Sequence, residues 1–271
     1  MADMFHFVPS FLERHELLLM LVVRNVKIRY KNSVLGFFWS LLTPVCFIAI
    51  YAVFAGILGI RASVIGGQPF DFMPFLITGI IVWQYTATCF NDALHAITGN
   101  ANLIKKARFP RLLLPLAMVL ANAVNFLLTL LVLLVYLACT RTAFGSPGWL
   151  PLALLAQTAL CLGLALLIAT ANVFFRDTEH ITGVASMAWF FLTPVFYPVT
   201  RQAEYLAAYP VAPWLVYLNP MTGILGAYRA FFLGQAPAAG GFALSAAVAV
   251  GVLAAGLALF RSAEGRFGDV L

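Results

Sequence analysis

Few residues in this chain have the types and spacing that reactions need. Asp177, Glu179 and His180 stand together behind Arg176. These are the side chains of metal ligands and of acid–base pairs. Neighbouring positions on a helix point apart, however, and the sequence holds no second such cluster. A salt bridge or a cap at a membrane end is the expected role. Cys46, Cys89, Cys139 and Cys161 all lie inside apolar stretches without metal-ligand spacing, and buried thiols behave as small hydrophobes. No Gly-x-x-x-x-Gly-Lys-Ser/Thr phosphate loop is present. A pump built on this chain must take its nucleotide site from a separate subunit.

The elements that would position any site are apolar. Hydrophobic residues make up 63% of the 271 and charged residues 10%, which excludes a soluble globule. Six uncharged runs dominate: residues 32–60, 72–91, 112–140, 142–175, 181–200 and 230–260. A bilayer core about 30 Å thick takes roughly 20 helical residues to cross, so each run is long enough for one span. The expected fold is an all-α integral membrane protein with six transmembrane helices. An N-terminal amphipathic interface helix precedes them, and short re-entrant helices precede the last span.

Charge sets the orientation. Of 16 Lys and Arg, 12 fall before the first run, in the second and fourth gaps and in the tail. Only Arg61, Arg141, Arg201 and Arg229 fall on the other side. Short basic loops stay cytoplasmic, so both termini are expected inside. The net charge of +6 is then a topology signal beside anionic headgroups, with no nucleic-acid partner implied. The first 31 residues lack the apolar core and cleavage site of a signal peptide. The chain reads as a single permease domain, residues 1–271. Residues 1–33 form a cytoplasmic interface helix, 34–261 the six spans and 262–271 a cytoplasmic tail.

Ser10 and Glu13 form a capping-box pattern that starts a helix near Phe11. On a helical wheel Arg24, Lys27 and Lys31 share a face, with Leu19, Val22, Val26 and Tyr30 opposite. Gly36 permits a sharp turn before the first span, and Pro44 removes a backbone hydrogen bond within it. Asn100 can cap a short helix ended by Pro110, with Leu103, Ile104 and Ala107 as its apolar face. The third and fourth runs are Leu-rich. The fifth ends among Phe190, Phe191, Pro194, Phe196, Tyr197 and Pro198. From there to Tyr228 the chain is apolar but broken by Pro210, Pro213 and Pro220. Interfacial or re-entrant short helices fit that pattern. The last span, near residues 242–260, is rich in Ala and Gly, which suits close helix packing.

Six spans with almost no soluble mass imply transport. No ionisable residue sits in the middle of any span, which counts against an ion-coupled carrier. Four stretches then carry a specific resemblance. Residues 21–44, reading LVVRNVKIRYKNSVLGFFWSLLTP, resemble the N-terminal signature of polysaccharide ABC-exporter permeases, the membrane subunits that export lipid-linked O-antigen and teichoic acid. NANLIKK at 100–106 with FPR at 109–111 is similar to that family's cytoplasmic loop. NVFFRD at 172–177 and NPMT at 219–222 resemble its later motifs, in the same order.

The resemblance implies a homodimeric pore in the bacterial cytoplasmic (inner) membrane above two copies of an ABC ATPase subunit. ATP and Mg sit on that subunit, and this chain holds no cofactor. The partners implied are a second copy, the ATPase, membrane lipid and a lipid-linked glycan. Arg24, Lys27, Asn100, Leu103, Ile104, Lys105 and Phe109 are the expected ATPase-docking residues, and Leu35 with Gly36 the inner gate. Aromatic faces suit a sliding sugar polymer, so Trp39, Trp83, Tyr85, Phe191 and Tyr197 are candidates for the path. Trp and Tyr also serve as interface anchors. Two other classes stay open: an ABC exporter of a small lipid or drug, and a membrane-embedded lipid-linked sugar transferase. The transferase would need a reactive cluster, and only residues 176–180 come close.

Overall fold

The computed structural model describes residues 15–31, 33, 35–57, 62–65, 68–106, 109–142, 144–175, 177–207, 212–236 and 238–271. The capping pattern at Ser10 and Glu13 lies outside them, as do Arg176 and Ala107. The chain begins with helix α1 (His15–Tyr30) and a 3-10 turn (Gly36–Phe38) that leads into α2 (Trp39–Ile57). A hairpin of β1 (Ala62–Ile65) and β2 (Gln68–Asp71) follows, antiparallel, with Ala62 opposite Asp71. Then come α3 (Phe72–His95), short α4 (Ala101–Lys106), α5 (Leu113–Cys139) and α6 (Trp149–Phe174). Helices α7 (Thr178–Leu192), α8 (Val199–Ala207), α9 (Pro220–Phe232), α10 (Ala239–Ala263) and α11 (Phe267–Val270) complete the fold.

Among the described residues the regular structure is helical apart from that one hairpin. Gly66 and Gly67 between two short extended runs were a hairpin signal in the sequence. Among the described residues four helical segments are long and apolar enough to cross a membrane: Phe72–His95, Leu113–Cys139, Trp149–Phe174 and Ala239–Arg266. The apolar part of α2, Leu41–Phe54, is shorter. Pro44 lies inside α2 without ending it.

The fifth run does not form the full helix its length suggested. Helix α7 has 15 residues, about 22 Å at 1.5 Å each, against a core of about 30 Å. The cause is Pro194, whose ring disfavours helical geometry at the residue before it. Thr193 is extended at φ −89°, ψ 139°.

Helix α3 is the centre of the bundle. It packs against α5, α6, α7 and α9, and buries Phe75, Ile77, Val82 and Ala93 among them. The most extensive pairing is α10 against α6. Glycine makes it possible: a Cβ on Gly163 would lie 2.6 Å from the Leu253 backbone, and one on Gly256 would strike the Gly163 carbonyl. The expected close packing of the last span is present.

Helix α9 is buried along nearly its whole length. It starts deep, where Met221 meets Thr86, about 21 Å along α3 from Phe72. It ends beside the loop that joins α5 to α6, where Gly145 N–H donates to the Phe231 carbonyl at 2.7 Å.

Helix α1 lies along α5 and buries Leu21, with Leu17, Leu18 and Val22 half-buried. Leu19 was expected opposite the basic face, yet it is 59% exposed and lines one shallow groove with Met20, Val23, Arg24, Lys27 and Lys31. The division by charge failed because α5 takes the side centred on Leu18 and Leu21. That leaves an outer face both apolar and basic.

Candidate functional site

The expected docking residues come together in part. Arg24 Nη2 donates to Asn100 Oδ1 at 2.8 Å, which ties α1 to the turn before α4. Asn100 Nδ2 donates to the Ala96 carbonyl at 2.9 Å, so its side chain bonds backward and sideways. Lys27, Asn102, Lys105 and Lys106 are exposed around this junction. Ile104 is only 7% exposed and belongs to the core, with Leu103 and Phe109 half-buried against it. The apolar face of α4 therefore serves the protein's own interior, and the basic residues form the outer surface.

Above this junction lies a cleft of about 230 Å³ between α1, α2, α3 and α5. Arg29, Trp39, Gln84, Tyr85, Asn122 and Phe126 are among its walls. Gly36, with φ at +48°, makes the turn that aims α2 past it; this left-handed geometry favours glycine. Leu35 is exposed beside that turn, and Trp39 is 44% exposed. Tyr85 stacks on Phe126 at 4.7 Å between ring centroids, and its hydroxyl reaches Thr158 at 3.5 Å. Trp39 and Tyr85 thus share one cleft.

The other aromatic candidates are elsewhere. Trp83 is buried, edge-on to Trp189 at 5.5 Å and against Phe190. It packs α3 onto α7. Phe191 is exposed, and Tyr197 beyond the end of α7 donates its hydroxyl to the Phe191 carbonyl at 2.8 Å.

Three polar groups at the cleft were missed by the sequence reading. Arg29 Nη2 contacts Asp92 Oδ2 and Asn122 Oδ1, each at 2.5 Å. Asn122 Nδ2 donates to the same Asp92 oxygen at 2.9 Å. The triad joins α1, α3 and α5. Its signals were present: Asp92 is the first charge after the second uncharged run, and Asn122 interrupts a Leu-rich helix.

A second junction ties α7 to α9. Asn219 Oδ1 accepts from Met221 N at 3.1 Å and caps α9. It also accepts from Trp189 Nε1 at 2.8 Å. Asn219 Nδ2 donates to Thr193 Oγ1 at 3.2 Å and more weakly to the Leu192 carbonyl. One side chain therefore joins the end of α7 to the start of α9. Asn172 does similar work near the end of α3, donating to the Leu94 carbonyl at 2.7 Å.

Arg229 was counted among the outer loop charges. It lies instead in the last turn of α9, 4% exposed. Its guanidinium donates to the Pro194 and Val195 carbonyls at 2.7 and 2.9 Å and weakly to the Phe75 carbonyl. It also sits 3.4 Å over the Phe75 ring centroid. The first two carbonyls lie just past the end of α7 and the third in the first turn of α3.

Among the described residues no three His, Cys, Asp or Glu side chains come together as a metal site. A sequence profile of the family described as ABC-2 type transporter matches residues 16–233, from α1 through α9. The chain is 33% identical to the O-antigen export system permease protein RfbA of Myxococcus xanthus, over 98% of this chain and 99% of that one. It is 29% identical to the protein of that name from Klebsiella pneumoniae, over 94% of this chain and 95% of the relative. With the profile covering both junctions and the cleft between them, the chain belongs to the ABC-2 type transporter family.

Proposed function

We propose that this chain is the membrane-spanning subunit of an ATP-driven exporter. It carries a lipid-linked polysaccharide of the O-antigen type from the cytoplasmic side across the bacterial inner membrane. The observation that carries the reading is end-to-end similarity to permeases named for O-antigen export. Six crossings follow if α2 and α7 span beside the four longer helices, with α9 re-entrant from the outer face and both termini inside.

The geometry supports a pore shared by two copies. A cleft of about 230 Å³ is too small to enclose a glycan chain by itself. Helices α2 and α7 carry exposed apolar residues, among them Val53, Phe54, Val184 and Met187, suited to lipid and to a second copy. Trp39 offers a ring face to sugar C–H groups and exposed Gln84 an amide to hydroxyls, while Tyr85 and Asn122, both buried, form the floor of the cleft. Leu35 and Gly36 form the inner mouth. Lys27, Lys105 and Lys106 present positive charge for an ABC ATPase subunit, two copies of which supply ATP, Mg and the energy.

The test is genetic and biochemical. Disrupting this gene should abolish surface polysaccharide while lipid-linked polymer accumulates in the cytoplasmic leaflet, and a plasmid copy should restore export. Unchanged surface polysaccharide in the disrupted strain would refute the reading.

A further inference from the structure

A cavity of about 850 Å³ opens at the outer end of the bundle, lined in part by Phe75, Arg141, Pro194, Thr222, Arg229 and Phe242. Its walls are mostly apolar and its charges are few. Two arginines, Arg141 and Arg229, face one carboxylate, Asp71.

Arg229 is the informative group. A buried charge is costly unless it is paired, and its partners here are three carbonyls and a ring, all neutral. Among the described residues the salt bridge formed is Arg29–Asp92, which lies at the inner cleft. Carbonyl dipoles soften the burial of a guanidinium without cancelling its charge. Two further atoms of the same wall are buried without a hydrogen-bond partner: Arg229 Nε and Thr222 Oγ1. Arg141 adds a second positive charge to the same lining. Its backbone takes φ +56°, a region that non-glycine residues enter rarely. The turn is pinned by bonds from Arg141 N to Ala138 O and from Thr142 N to Leu137 O. Its exposed side chain has room to move.

We propose that this outer cavity binds the phosphate of an anionic amphiphile. Arg229 and Arg141 supply the positive charge, Thr222 a hydroxyl, and the apolar walls receive the start of the tail. Guanidinium groups suit phosphate oxygens because their planar forks match them. The site stands apart from the cleft of Trp39 and Tyr85, and it goes beyond the export reading without depending on it. Two sources offer the same chemistry: a bilayer phospholipid, and the phosphorylated lipid of a substrate.

The test is a competition assay on the detergent-solubilised full chain with fluorescent phosphatidylglycerol. Competitors are unlabelled phosphatidylglycerol, phosphatidylcholine, a polyprenyl phosphate and inorganic phosphate. Phosphatidylglycerol or polyprenyl phosphate should displace the probe about tenfold better than phosphatidylcholine, about the effect of one charge-assisted contact. Whichever of the two is stronger identifies the source. Arg229 also holds the end of α7, so the variants are placed on its neighbours. Arg141→Gln and Thr222→Val should each weaken probe binding, the first by about tenfold, with thermal unfolding unchanged. Arg141→Lys should retain most of the affinity. Equal competition by phosphatidylcholine, full displacement by inorganic phosphate, or wild-type affinity in both Arg141→Gln and Thr222→Val would overturn the proposal.

Discussion

Replacing Asn219 with Ala should loosen the junction of α7 and α9 by an amount that its bonds define. The cap on α9 is lost, about 1 kcal/mol for a typical N-cap. The Trp189 indole N–H, half-buried, loses its acceptor, which costs about another 1 kcal/mol at the lower end for such groups. Thr193 Oγ1 loses one donor but keeps its own bond to the Trp189 carbonyl at 2.8 Å, so its share is small. The total is about 2–3 kcal/mol. Asn219→Asp is the control, because it keeps the acceptor oxygen for Met221 N and Trp189 Nε1 and removes only the two donated bonds. The assay is thermal unfolding of the detergent-solubilised protein, together with Trp emission, which reports Trp189. Asn219→Ala should unfold well below wild type with red-shifted emission, and Asn219→Asp should fall between. If Asn219→Ala matches wild type within about 0.5 kcal/mol, the range of an ordinary surface change, the junction is not held by this side chain.

Other outcomes follow from the same geometry. Gly163→Val should prevent α6 from meeting α10 and lower the yield of folded protein. Gly251→Val, with nothing within 4 Å of its added Cβ, should be tolerated, and equal yields would refute the packing argument. Cysteine placed at exposed Ser146 should label from outside intact cells, and at exposed Asn102 only after permeabilisation; the reverse pattern would invert the topology. A double-mutant cycle on Arg29 and Asp92 should give a coupling of about 0.2–1 kcal/mol, the range for a partly exposed pair, and zero coupling would mean that the contact contributes nothing.

The sequence revealed most where one property decided the outcome. Uncharged length located α3, α5, α6 and α10. Pro194 carried the signal for the early end of α7, although the run appeared long enough to span. Charge alone misled at Arg229: a lone basic residue after a proline-rich segment reads as a loop, and only the fold shows three carbonyls waiting for it. Ile104 and Trp83, both buried in this chain, were ambiguous for a related reason. An apolar side chain on a short amphipathic helix, or an aromatic in a span, suits an interior as well as a docking face or a path, and neighbours distant in sequence make the choice. The split between Leu19 and the basic residues of α1 depended on which side α5 would occupy, which no local pattern encodes. Asn100, by contrast, did meet Arg24, 76 positions away.

The glycine seam between α6 and α10 also imposes a schedule on synthesis. Helix α6 ends at Phe174, and its partner is complete only at Ala263. At roughly 5 to 20 residues per second, the gap is on the order of 5–20 s. During that interval the notch at Gly163 has only lipid against it. Helix α9 is no better placed, since the Gly223 amide donates to Ser245 Oγ at 3.2 Å, and that hydroxyl donates to the Tyr217 carbonyl at 2.9 Å. Ser245, like the Leu253 backbone that fills the notch, arrives with α10. The cleft of Trp39 and Tyr85 and the Asn219 junction between α7 and α9 can both assemble while the ribosome is still translating, but the seams with α10 must wait for nearly the last helix. The newborn chain therefore passes through a stage in which α6 and α9 are made but each still has one side without its partner.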